Sequence, residues 1–84
     1  MAIQYGFGSV HQVKVYDQCH FLGFLTLALE EPKPQENVDW VGQIRGSDYL
    51  VWGLNHKKVR LKFPQGESVT VVVRSGGRAV PVNQ

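Results

Sequence analysis

HKKVRLKFPQGESVTVVVR, His56 to Arg74, decides how this chain folds. Val59, Leu61 and Phe63 alternate with Lys58, Arg60 and Lys62, which is the period of a β-strand with one dry and one wet face. Pro64-Gln65-Gly66 follows. Proline first and glycine in the left-handed position fit a type I turn closing a three-residue hairpin with a bulge. That turn fixes the register. Phe63 then faces Glu67, Leu61 faces Val69, and Val59 faces Val71. The aliphatic residues of both strands share a face, and Lys58, Arg60 and Lys62 lie opposite Val72, Thr70 and Ser68 on the other. A two-residue loop slips the pairing by one and sets Val69 against Lys62. Such a slip mixes the two faces and loses the buried one.

Working outward, the same short period recurs. Val10–Tyr16 sends Val13 and Val15 one way and Lys14 and Tyr16 the other, with Val10 out of step. Asp17-Gln18-Cys19-His20 reads as a turn. Phe21–Leu29 is apolar on both sides, which predicts a strand buried on both faces, with a bend at Gly23. Glu30–Val38 carries two prolines and three acids and reads as an exposed loop. Asp39–Arg45 alternates again, and Tyr49–Leu54 reads as a further short apolar strand, although Ala28–Asn37 and Ser47–Asn55 are the two places where a short helix could hide. Ser75-Gly76-Gly77 turns the chain into Arg78–Val82, a last strand that Pro81 confines to an edge. The expectation is one all-β domain over residues 1–84, a small antiparallel barrel or sandwich of six to seven short strands with little or no helix.

Composition agrees. Hydrophobic residues at 43% and charged residues at 19% suit a folded chain rather than a disordered one, and nine glycines suit many turns. The lone Cys19 leaves no internal disulfide. The opening MAIQYGFGSVH lacks the basic and apolar regions of a signal peptide, and Phe21–Leu29 is shorter than the ~20 residues of a membrane helix. A cytoplasmic protein without membrane contact is the expectation. The large aromatics Trp40, Tyr49, Trp52, Phe21, Phe24 and Phe63 are expected mostly in the core.

Charge is unevenly spread. Residues 1–42 hold two cations against five acids, a net of −3, and residues 43–84 hold seven against two, a net of +5. Lys57, Lys58, Arg60, Lys62, Arg74 and Arg78 are therefore the candidate contacts for a nucleic acid or an acidic partner, with Tyr49 and Trp52 as aromatic contacts. Alternate strand residues lie about 7 Å apart, near the phosphate spacing of a single strand. The plainer account is a solvated face whose lysines block edge pairing.

Other chemistry is thin. Cys19, His20 and His11 lack the paired spacings of a zinc site. Glu30, Glu31, Glu36 and Asp39 lack the glycine-centred spacing of a calcium loop. Gly6-Phe7-Gly8 lacks the third glycine of a dinucleotide fingerprint and reads as a lead-in to the first strand. No cofactor or metal is implied. The first functional expectation is a non-enzymatic protein-interaction or oligomerisation module, whose partner is another protein or a second copy. The alternative is a small barrel that binds nucleic acid through the basic hairpin face of residues 57–78. The third is a small-ligand binder or enzyme with its site at a subunit interface.

Overall fold

Pro64-Gln65-Gly66 makes the turn the sequence requires. In the computed structural model, which describes residues 6–82, Gly66 sits at φ +102° and its amide donates to the Phe63 carbonyl at 2.9 Å. The Phe63 amide donates to the Glu67 carbonyl at 2.7 Å. Strands β4 (Lys58–Lys62) and β5 (Ser68–Arg74) then pair Val59 with Val71, Leu61 with Val69, and Lys62 with Ser68, the register read from the alternation. Val59, Leu61, Phe63 and Val71 are buried while Lys58, Arg60 and Lys62 are exposed.

The remaining strands are β1 (Val10–Asp17), β2 (His20–Glu30), β3 (Val41–Arg45) and β6 (Arg78–Pro81). They close a six-stranded antiparallel barrel in the order β1-β2-β3-β6-β5-β4. Inward-facing residues from all six strands make one core: Val13 and Val15, Leu25, Leu27 and Leu29, Ile44, Val59 and Leu61, Val71 and Val73, and Ala79. Closure matters because a single small sheet cannot cover so much apolar surface. The ring lets each strand bury one face and still expose the other.

Three expectations are corrected. Tyr49–Leu54 is not a strand: Asp48–Gly53 forms a short helix, α1. Leu50, Val51 and Leu54 fall on one side of it, and Leu54 is buried while Leu50 and Val51 pack against the core. A run of six apolar residues fits either period, and here the open end of the barrel needs a plug rather than a seventh strand. Arg78–Val82 is not an edge. Its strand part, β6, lies between β3 and β5. Pro81 is tolerated because pairing with β3 stops at Ala79, while the neighbouring Val82 amide supplies the bond to β5.

The third correction concerns β2, which is not buried on both faces. Leu25, Leu27 and Leu29 point inward, but Phe21, Leu22 and Phe24 are exposed. The register with β1 explains Phe21. Val15 pairs with Gly23 and Tyr16 with Phe21, so Leu22 is an extra residue, a bulge. Gly23, at φ +148°, makes the bend anticipated there. The bulge turns Phe21 from the inner to the outer side. Val10, by contrast, needs no irregularity and pairs with Ala28.

The acidic loop after β2 is mostly exposed and is tied down at Glu36. Among the described residues no helix is long and apolar enough to cross a membrane. Met1–Tyr5, the start of the supposed leader-free opening, and the last two residues lie outside the described part.

Candidate functional site

Barrel closure brings two distant stretches side by side. β1 pairs with β4 as well as β2, so Lys14 lies opposite Lys62 and Tyr16 opposite Arg60. On the other flank of β1, Lys14 lies opposite Phe24 and Tyr16 opposite Phe21. The outer surface of β2, β1 and β4 therefore reads, row by row, Phe24–Lys14–Lys62 and Phe21–Tyr16–Arg60. Thr70 and Ser68 of β5 extend the rows.

The side chains touch as the register implies. The Phe21 and Phe24 rings meet edge to face at 5.4 Å between centroids, and Tyr16 meets Phe21 at 5.5 Å. The Arg60 guanidinium lies 5.4 Å from the centre of the Tyr16 ring, and the Lys14 ammonium 6.0 Å from that of Phe24. Both are cation–π distances. Phe21 is 49% and Phe24 53% exposed, so these rings are not core. Their expected place in the interior is a further correction, as it is for Tyr49 and Trp52. Only Trp40 and Phe63 of the six large aromatics considered are buried.

Electrostatics make this face costly on its own. Lys14 and Lys62 are directly opposed, and like charges so placed repel. Among the described residues no carboxylate comes within ion-pair distance of Lys14, Lys58, Arg60 or Lys62. Nor does the edge-blocking account of these cations apply, because β4 has neighbours on both sides.

The acids are held elsewhere. Arg78 Nε donates to Glu36 Oε2 at 3.0 Å and Nη2 to Oε1 at 2.6 Å, with Glu30 Oε1 at 3.7 Å from Nη1. This bond to Arg78, helped by the Lys33 amide at 2.8 Å, holds the Glu36 carboxyl below its ordinary range. The same pairing raises Arg78. The clamp joins β6 to the loop entering β3. In the ring, β3 and β6 stand across from β4 and β1. Glu30 and Glu36 are thus held at Arg78, while Asp17 borders the end of the basic, aromatic face beside Lys58 and Arg60.

The candidate residues from the sequence therefore separate. Lys58, Arg60 and Lys62 share the face, and exposed Lys57 precedes it. Arg74 ends β5 and is exposed, facing Arg78, whose guanidinium is engaged by Glu36 and Glu30. Tyr49 and Trp52 stand on α1 at the barrel end. Lys14, Phe21 and Phe24 were missed as contacts, because pairing between β1 and β4 is not written in local periodicity. Cys19 lies in the β1–β2 turn and His20 opens β2 opposite Asp17, both exposed, while His11 lies near the other end of β1, with Nε2 2.9 Å from Ser9 Oγ. Among the described residues no group of three or more His, Cys, Asp or Glu side chains is placed to hold a metal ion.

Two hollows border the face. One, of about 380 Å³, lies at the Pro64 turn between Gln12, Lys14, Phe24 and Lys62. The other, also about 380 Å³, lies at the far end between Asp17, Lys58, Arg60 and Thr70. No family model, no curated protein and no solved structure matches this chain.

Proposed function

We propose that the outer face of β2, β1 and β4 binds a nucleic-acid strand. The observation that carries this reading is the directly opposed Lys14 and Lys62 beside the exposed Phe24 ring. A repulsive pair with no acid at ion-pair distance among the described residues is relieved by a polyanion, and exposed rings among cations offer bases a surface to stack on. The bases lie on Phe21, Phe24 and Tyr16, and the phosphates track Lys14, Lys62, Arg60 and Lys58. A single strand fits better than a duplex, since stacking on side chains requires unpaired faces. A cytoplasmic setting suits the reading, because there the exposed Cys19 stays a thiol.

Fluorescence anisotropy with labelled single strands at several salt concentrations tests it. Four phosphate contacts give a slope of log affinity against log salt near −3, about a fifty-fold loss between roughly 50 and 200 mM. Arg60→Ala lowers the slope to about −2. No binding to any oligonucleotide at low salt removes the proposal.

A second reading rests on a different surface. Tyr49 is 88% and Trp52 79% exposed, three residues apart on α1. The pair suits self-association with a second copy. Light scattering showing a monomer at high concentration, unchanged by Trp52→Ala, excludes it.

A further inference from the structure

We infer that the hollow at the Pro64 turn is a pocket for one unpaired nucleobase, so that the bound strand is read at one position. This rests on the nucleic-acid reading of the adjoining face and goes beyond it by naming a subsite and its ligand. The volume of about 380 Å³ falls at the lower end of the ~300–1,000 Å³ usual for ligand pockets. Its lining has three chemistries in one place. Phe24 and Pro64 supply flat apolar surface, Gln12 supplies an amide, and Lys14 and Lys62 supply positive charge.

A planar heterocycle with a phosphate attached needs all three. The ring stacks on Phe24, the Gln12 amide meets the hydrogen-bonding edge of the base, and the ammoniums hold the neighbouring phosphate. Lys14 is placed for that junction, with its ammonium 6.0 Å from the Phe24 ring centre. A flexible lysine can move from the ring to a phosphate when a base takes the ring. An acidic peptide satisfies the cations but leaves a flat aromatic wall without a stacking partner. A duplex cannot enter, because its base faces and pairing edges are already occupied.

The pocket is also shaped by the rigid part of the fold. Gln65 and Pro64 belong to the three-residue turn fixed by its own backbone bonds, and Phe24 is braced by Phe21. A preformed slot of this kind selects by shape and by edge pattern rather than by closing on its ligand.

The test compares homopolymeric single strands of each base with a duplex of equal length, by anisotropy, in the intact chain and in three exposed-residue variants. Wild-type protein is expected to prefer one homopolymer over the poorest by at least about fivefold, the lower end for a good amide–base contact. Gln12→Ala should flatten that preference while leaving the salt slope unchanged. Phe24→Ala should weaken single-strand binding about tenfold or more for every base, as lost stacking does. Arg60→Ala should lower affinity and slope without changing the order of preference. The pocket is refuted if wild type shows no preference, or if Gln12→Ala and Phe24→Ala leave preference and affinity unaltered while Arg60→Ala still weakens binding. In that case the face reading survives. Absence of binding to every strand refutes both. Circular dichroism of each variant confirms that the barrel is intact.

Discussion

Replacing Lys62 with glutamine should make the protein more stable and a weaker binder at once. Lys62 lies opposite Lys14 and two residues from Arg60, with no acid at ion-pair distance among the described residues. Taking opposed charges about 6 Å apart and alternate ones about 7 Å apart, each repulsion is about 0.6–0.7 kcal/mol in water before screening. At about 10 mM salt, with a Debye length near 30 Å, most of this survives, giving about 0.5–1 kcal/mol recovered in Lys62→Gln. For a domain of this size that is a rise in Tm of about 2–8 °C. At about 1 M salt the Debye length is near 3 Å and the difference between the two proteins should vanish. Scanning calorimetry across that salt range reads the first half. Anisotropy with a single strand reads the second, where the salt slope should fall by about 0.7. If Lys62→Gln is destabilised, and equally so at low and high salt, the lysine contributes through packing of its stem and the electrostatic argument fails.

Other outcomes follow from the geometry. Gly66→Ala, at φ +102° with open space around it, should cost about 1–2 kcal/mol through backbone strain alone, measured as a lower urea midpoint with unchanged slope. Leu61→Ala, fully buried, should cost about 2–5 kcal/mol, a large share of the total for so small a domain, and thermal melts report it. Glu36 is held below its ordinary value by Arg78, so its contribution is present above the unfolded-state value and fades as pH falls through the lower folded one. Acid titration of Glu36→Gln should show a shallower loss of stability in that window, and an unchanged curve contradicts the clamp. Hydrogen exchange should speed up at β3 and β6 in Arg78→Gln, because only Gly42–Ala79 and Gln43–Arg78 pair across that seam.

The sequence carried the hairpin completely. Alternation over Val59–Phe63 and Val69–Val73 and the Pro64-Gln65-Gly66 turn are local signals, and together they admit one register. The same logic found the loop and Gly23's bend. It failed at Tyr49–Leu54, where six residues are too few to separate a period of two from one of 3.6, and where the deciding contact is with Gly23 and Gly77, distant along the chain. It failed at Phe21 for a different reason. One extra residue at Leu22 reverses the sidedness of everything before it, and only the glycine beside it hints at that. The candidate site was half legible. Its β4 cations were visible, but Lys14 was not joined to them and Phe21 and Phe24 were misplaced in the core, because the pairing of β1 with β4 depends on ring closure and leaves no pattern in either segment.

That closure also restricts how this protein can be approached. Among the described residues each strand already has a companion on both flanks, so an incoming peptide finds no wholly unpaired strand edge along which to lie down as a seventh member. Whatever meets the barrel must read its side chains, and a side chain can be exchanged without disturbing the ladder beneath it. The outer surface can therefore vary one residue at a time while the barrel stays closed.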